Sequence, residues 1–376
     1  MKTGKAEVLY DWLASVRGDQ QMILNMFVLA LVALSLWGIK PVKSATELNQ
    51  NYLSLKTTNA LRGIFALVVT FHHVSKGTIS IYPYSEFVDM GYLAVAFFFF
   101  VSGYGLQKKH ITDPSYQNKF LLKRLPPVLL LPILMLSFYF VAALVNGDSL
   151  TVKDILLSVF DNHPVVSGSW YVINISIFYV VFYLFMMLFK QHHFAMGVGA
   201  VVFYFVWAFS GFRLSHGLWW YSATHLLAVG MFWAVYEKQI LAVLKKCYYF
   251  VALLFWVTFL IVFSFRNQII TLPIPFILSL IRIVTAVIFV IGIWLFTMKF
   301  QIGNRVLAFL GKISYEIFLS HCFFHIFFKS EAVNIENDIL YMAAVLVSTI
   351  VSSVLLNKVT SALLKKYNAL LKKKAI

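Results

Sequence analysis

ALRGIFALVVTFHHV, residues 60–74, is the stretch on which the fold turns. It is apolar along most of a membrane-crossing length, yet it carries Arg62, His72 and His73. Ionisable side chains at such depth cost roughly 2.5–3.5 kcal/mol on insertion scales and face a bundle interior or a water-filled cavity. At 100° per residue, Arg62 and His73 fall within about 20° of one another around the helix and roughly 16 Å apart along it, while His72 points about 80° away. One face of one helix therefore carries a fixed cation near one membrane edge and an imidazole beyond the midplane. An imidazole, with an unperturbed pKa of about 6.5, suits removal of a proton from an alcohol near neutral pH. Spacing alone leaves another reading open, in which Arg62 snorkels to headgroups and the histidines bond neighbouring helices.

The rest of the chain has the same character. Of its 376 residues 61% are hydrophobic, 17% aromatic and 12% charged, against roughly 45–50% apolar and about 25% charged for a water-soluble domain. Mean hydropathy is +0.81. Windows of about 19 residues pick out apolar stretches near 22–39, 60–75, 90–106, 124–145, 169–189, 194–210, 217–236, 247–265, 275–297, 306–328 and 338–358. The expected fold is all-α, a polytopic transmembrane helix bundle of about ten core helices plus one extra N-terminal helix. Three regions follow: an N-terminal extension at 1–59 whose helix crosses or lies along the interface, a membrane domain at 60–358, and a basic tail at 359–376. The apolar run 22–39 follows a mixed-charge segment and has no small-x-small site after it, which favours a retained helix over a cleaved signal peptide. Two cysteines, Cys247 and Cys322, are too few for a metal cage or a disulfide scaffold and read as buried small hydrophobes.

The net charge of +16 orients helices here and does not bespeak nucleic acid. Scored on alternating sides of the spans, one set of loops holds twenty Lys and Arg, including Lys108, Lys109, Lys119, Lys123, Arg124 and the tail lysines through Lys374. The opposite set holds eight, among them Lys2, Lys5, Arg17, Lys76 and Arg266, together with most of the loop acids. The positive-inside rule makes the first set cytoplasmic, which puts the C-terminus inside and the N-terminus outside. The tail, LLKKYNALLKKKAI, suits topology enforcement or contact with anionic lipid heads.

Within the later spans, ionisable residues are few: His225, Arg282, Lys312, Glu316, His321 and His325. Lys312 and Glu316, four apart, are placed to pair on one helix face, leaving Glu316 either structural or free to orient an imidazole such as His73. His321 and His325 share the spacing of two metal-binding imidazoles, but without HExxH or a cysteine set no metal is expected. Arg282 is expected to point into the bundle.

The ordered set LRGIFALVVTFHHV (61–74), AVAFFFFVSGYGLQKK (94–109), FLLKRLPPVLLLP (120–132), GSWYV (168–172) and LGKISYEIFLSH (310–321) resembles the integral membrane acyltransferase family often called acyltransferase-3. The resemblance implies an enzyme of the cell membrane that moves an acyl group, usually acetyl from acetyl-CoA, onto a hydroxyl of a cell-surface glycan or glycoside. It implies no tightly bound cofactor. The family's arginine and histidine eleven residues apart fall on Arg62 and His73, its Ser-Gly-aromatic turn on Ser102, Gly103 and Tyr104, and its Trp-aromatic element on Trp170 and Tyr171, expected to bind the acceptor. Of its two arginines for acyl-CoA, Arg124 matches the first, but Pro127 stands at the second. Lys108, Lys109 and Lys123 are positioned to supply point charges for CoA phosphates instead. His72, Ser102, Glu316 and His321 are candidates for catalytic support, the first two as oxyanion donors. Direct transfer and an acyl-histidine intermediate both remain open. A transporter of a glycan-lipid or small molecule is the alternative class, though no internal repeat accompanies it. A glycan polymerase would favour an arginine-bearing external loop, and 146–168 has none.

Overall fold

A computed structural model describes residues 21–44, 47–78, 84–159, 161–265 and 275–373. Of the residues weighed above, Lys2, Lys5, Arg17, Arg266 and Lys374 lie outside these. Twelve helices follow one another: α1 (Gln21–Leu36), α2 (Leu55–Lys76), α3 (Gly91–Thr112), α4 (Phe120–Asn146), the short α5 (Val152–Ser158), α6 (Ser169–Phe189), α7 (His193–Arg213), α8 (Leu226–Ser264), α9 (Pro275–Lys299), α10 (Arg305–Lys312), α11 (Ser314–Phe327) and α12 (Asp338–Lys373). The sole ladder among the described residues is antiparallel, two residues long, and pins β1 (Lys40–Pro41) to β2 (Phe300–Gln301).

Six described helices are long and apolar enough to cross a membrane, and the bent pair α10–α11, taken together, has the length and apolarity of a broken span or a re-entrant loop. Exposed Phe205, Val206, Phe209 and Phe212 on α7, Leu253 and Leu260 on α8, and Val347 and Val351 on α12 give the bundle the apolar exterior that lipid requires. The chain is a multi-pass membrane protein. Helices α2 and α3, less apolar, run through its interior, where Phe97, Phe99 and Phe100 are completely buried.

Helix α8 joins two expected spans. Straight, its 39 residues would reach about 58 Å, nearly twice a hydrocarbon core of about 30 Å. Non-helical backbone at Cys247 breaks it. His225, just before the first arm, meets Ile283 of α9. In the second arm Tyr248 donates to Leu295 O and Phe259 packs on Phe289, so the second arm runs back along α9. The span expected at 217–236 starts later, at Leu226, because 218–220 is a 3-10 turn.

Small residues set the closest approaches. A Cβ on Gly103 would stand 2.0 Å from Leu227 O, and one on Gly230 2.2 Å from Phe100 O, so α3 and α8 touch backbone to backbone. Gly311 of α10 meets Asn59 O of α2 equally closely, which locks the helix carrying Arg62. At its start, Ser54 caps α2 by accepting from Thr57 N. Helix α4 contains Pro126, Pro127 and Pro132. A proline at i cannot bond the carbonyl at i−4, which frees the carbonyls of Leu122 and Val128 from Pro126 and Pro132. Tyr367 of α12 donates to Leu122 O at 3.1 Å, and Tyr315 of α11 to Val128 O at 2.5 Å. Two tyrosines thus repair the proline-broken ladder and tie α4 to its neighbours.

The extra helix α1 spans about 24 Å over its described length, short of the hydrocarbon core. Its buried Leu24, Val28 and Leu31 join Ala66 and Leu67 of α2, Ile317 of α11 and Met342 of α12 in one cluster. Asn304 caps α10 and donates to Leu34 O and Trp37 O, fastening the end of α1.

The expected single span at 306–328 is corrected. Non-helical backbone at Ile313 (φ −105°, ψ 15°) separates α10 from α11 by a 71° bend. The i,i+4 pairing of Lys312 with Glu316 is lost with the helix that would have made it. Glu316 instead accepts from Asn357 Nδ2 at 2.9 Å and from the Thr360 hydroxyl at 3.4 Å, so it fastens α11 to α12 and does not orient His73.

Candidate active site

Arg62 and His73 face two cavities. Arg62 lines a chamber of about 170 Å³ with Ser102, Tyr171, Tyr179, Ser314 and Tyr315. His73 lines a cavity of about 730 Å³ shared by α2, α3, α6, α9 and α11. Phe318 belongs to the wall of both and is the residue their linings share. The Arg62 chamber is toward the end rich in Lys and Arg, hereafter the basic end.

Arg62 makes a long contact to Asn59 Oδ1, 3.4 Å, and no ion pair among the described residues. Arg124, in the first turns of α4, donates to Tyr116 OH at 2.5 Å and lies over its ring. Tyr179 is within electrostatic reach of both Arg62 and Arg124, so the two guanidiniums flank one phenol. The lysines are less available. Lys108 pairs with Glu237 at 2.6 Å, in a network where Glu237 also accepts from Tyr52 and Tyr104. Lys109 pairs with Asp113 at 3.1 Å. Bonds from Ser115, and then from Lys109, hold the Asp113 carboxyl below the usual carboxylate range. Lys123 is exposed.

Around His73 the chain gathers three further imidazoles. Ring centroids of His72, His321 and His325 lie 4.9, 5.1 and 5.7 Å from that of His73. His72 Nδ1 is 3.1 Å from Phe87 O, and a carbonyl only accepts, so Nδ1 carries the proton and the ring anchors the turn before α3. His321 Nδ1 donates in the same way to Ile317 O at 2.8 Å, leaving Nε2 to accept. His325 Nδ1 bonds the Tyr341 hydroxyl. His73 itself makes no hydrogen bond among the described residues and faces the cavity. One ligand atom each from His73, His321 and Cys322 lie within 4.8 Å of one another. That envelope exceeds the roughly 3.5 Å between ligands of a tetrahedral zinc, so these three would have to close in to hold an ion. His325, the residue whose spacing suggested a shared metal, is not among them.

Two expected placements differ in the structure. Tyr171 does not join Trp170. Successive helical residues point 100° apart, so Trp170 lines the larger cavity while Tyr171 lines the Arg62 chamber beside Ser102. Ser102, one helical turn below Phe98, donates to Phe98 O at 2.9 Å and sits with Arg62, away from His73, so it is no oxyanion donor there. Cys322 is buried as expected, yet its sulfur lines the cavity of His73.

Arg282 points inward, as expected, into the larger cavity, where Lys76 joins it. Arg282 lies over the Tyr92 ring at 4.5 Å, and its Nε has no partner among the described residues. Lys76 is within electrostatic reach of Asp89 and Arg282. Trp219 and Trp170 supply indoles to the wall. Two tryptophans with a few charged groups form a surface for stacking the C–H faces of a sugar and bonding its hydroxyls.

A protein-family model described as an acyltransferase domain matches residues 56–358. Comparison with curated proteins and with solved structures yields no match.

Proposed function

The chain belongs to this acyltransferase family, and from that premise we propose that it carries an acyl group, acetyl first among candidates, from acyl-CoA to a hydroxyl of a cell-surface glycan or glycoside. The basic end is read as cytoplasmic, in a cell membrane, with the C-terminus inside and the N-terminus outside. Acyl-CoA enters there as a substrate, its phosphates met by Arg62, Arg124 and Lys123, and no tightly bound cofactor takes part. Lys108 and Lys109, already paired, contribute less. The acceptor enters the larger cavity from the opposite end and stacks on Trp170.

The observation that carries this reading is one helix presenting Arg62 to one chamber and His73 to the next, with Phe318 in the wall of both. The pantetheine arm passes Phe318 and brings its thioester to the His73 cavity. His73 takes the proton of the acceptor hydroxyl as its oxygen attacks the thioester carbon, and the departing CoA sulfur recovers that proton. His73, unengaged and tautomerically free, suits such a shuttle, whereas His72 and His321 have one nitrogen committed to a carbonyl.

The test is transfer of radiolabel from acetyl-CoA to envelope glycans in membranes containing wild type, Arg62→Gln or His73→Gln at equal levels. Label is expected with wild type alone. No label with wild type across acetyl-, propionyl- and succinyl-CoA would defeat the reading and favour transport.

A further inference from the structure

Phe318 and Cys322 stand four residues apart on α11 and so share a face. The first lines the Arg62 chamber, and the second lies one turn farther along, inside the His73 cavity. Cys322 Sγ is 3.3 Å from His321 Nε2. Because His321 Nδ1 is committed as donor to Ile317 O, Nε2 presents its lone pair to the thiol, whose proton also has Phe318 O within reach, at 3.6 Å from Sγ. A nucleophile, a base in reach of it and a group that orients the base together make an activated nucleophile. His321 is wholly buried and Cys322 is 3% exposed, and a nitrogen of His73 completes the cluster within 4.8 Å. Gly168, at the start of α6, faces the sulfur. It has φ +83°, and a Cβ there would come 3.0 Å from Sγ. Glycine therefore leaves the sulfur room for an incoming carbonyl, and the N-terminal end of α6 favours negative charge beside it.

We propose that Cys322 carries the acyl group between donor and acceptor as an S-acyl intermediate, a two-step route that replaces the direct attack on the CoA thioester and rests on the acyl-CoA reading above. In the first half-reaction His321 Nε2 takes the thiol proton as Sγ attacks the thioester carbon. The carbon–sulfur bond to CoA breaks, and CoA leaves as a thiol with the proton from His321. In the second, His73 takes the acceptor's hydroxyl proton, its oxygen attacks the acyl carbon, the bond to Sγ breaks, and the sulfur regains the proton from His73. Thioester exchanges for thioester and then for ester, with no oxidant or reductant. The two imidazoles divide the work, and the acyl group remains in the acceptor's cavity after CoA has gone.

The experiment is trapping. Purified wild type is incubated with radiolabelled acetyl-CoA without acceptor, quenched in acid, digested and mapped by mass spectrometry. One acetyl group on the peptide bearing Cys322 is expected, absent from Cys247, discharged by neutral hydroxylamine and by addition of glycan extract. Cys322→Ala should lose both the label and glycan transfer. Acetyl on His73 or His321, or a Cys322→Ala protein that transfers at the wild-type rate, overturns the intermediate and leaves the acyltransferase reading standing. Wild type that neither labels itself nor transfers overturns both. Should Cys322→Ala fail to fold, the wild-type map decides alone.

Discussion

Replacing Tyr315 with Phe removes one oxygen, and the structure says what that oxygen does. Pro132 has no N–H for Val128 O, and the Tyr315 hydroxyl supplies the missing donor at 2.5 Å. Tyr315→Phe leaves that part-buried carbonyl without a partner between α4 and α11, a cost of about 1–3 kcal/mol if water does not reach it. Folded-to-unfolded ratios should fall by roughly 5- to 150-fold. Tyr367→Phe is the internal control. It removes the same chemistry from Leu122 O, freed by Pro126, but that bond is solvent-exposed, and water or headgroup oxygens replace it for under about 0.5 kcal/mol. A third variant closes a cycle. Pro132→Ala restores an N–H for Val128 O, so Tyr315→Phe in that background should cost little, giving a coupling of about 1 kcal/mol or more. The assay is equilibrium unfolding in mixed micelles, with the four variants compared by midpoint at constant slope. Equal effects of Tyr315→Phe and Tyr367→Phe, or no coupling to Pro132, would refute the repair of the ladder.

Gly103→Ala should prevent assembly, since its Cβ would lie 2.0 Å from Leu227 O, whereas Gly105→Ala meets nothing within 4 Å and should be neutral or add about 0.5–1 kcal/mol; size-exclusion profiles in detergent separate the two. Phe318→Trp, a larger ring in the wall the chambers share, should cut glycan acetylation at least tenfold with acyl-CoA binding within twofold, measured by transfer rate and by titration. Arg124→Gln should raise the KM for acyl-CoA several-fold and leave kcat nearly unchanged. Lys108→Met, which leaves Glu237 without its cation and with the Tyr52 and Tyr104 hydroxyls as donors, should lower thermal stability and leave that KM within twofold, as measured by melting in detergent and by initial rates.

Helical period alone put Arg62 and His73 on one face, because eleven residues make three turns and about 20° more, and nothing in 60–74 interrupts them. Composition likewise sufficed for the bundle. The bend at Ile313 was hidden because GKISY contains no proline and the apolar pattern runs straight through it, and with the bend went the pairing of Lys312 and the aim of Glu316. Trp170 and Tyr171 went to different chambers through a rotation that adjacency in sequence disguises. Cys322 looks apolar by composition. Its chemistry depends on a proton on His321 Nδ1 that Ile317 O specifies, and on Gly168 arriving from another helix. The prolines of α4 were plain to see, but the tyrosines that answer them lie far along the chain.

The central claim is that donor and acceptor reach His73 from opposite faces. Proteoliposomes with glycan extract sealed in the lumen and radiolabelled acetyl-CoA outside test it directly, using wild type and His73→Ala reconstituted to equal levels. Label on lumenal glycan with wild type, and none with His73→Ala, is the predicted result. Label that appears only when donor and acceptor share a compartment, or equally with both proteins, would contradict the account.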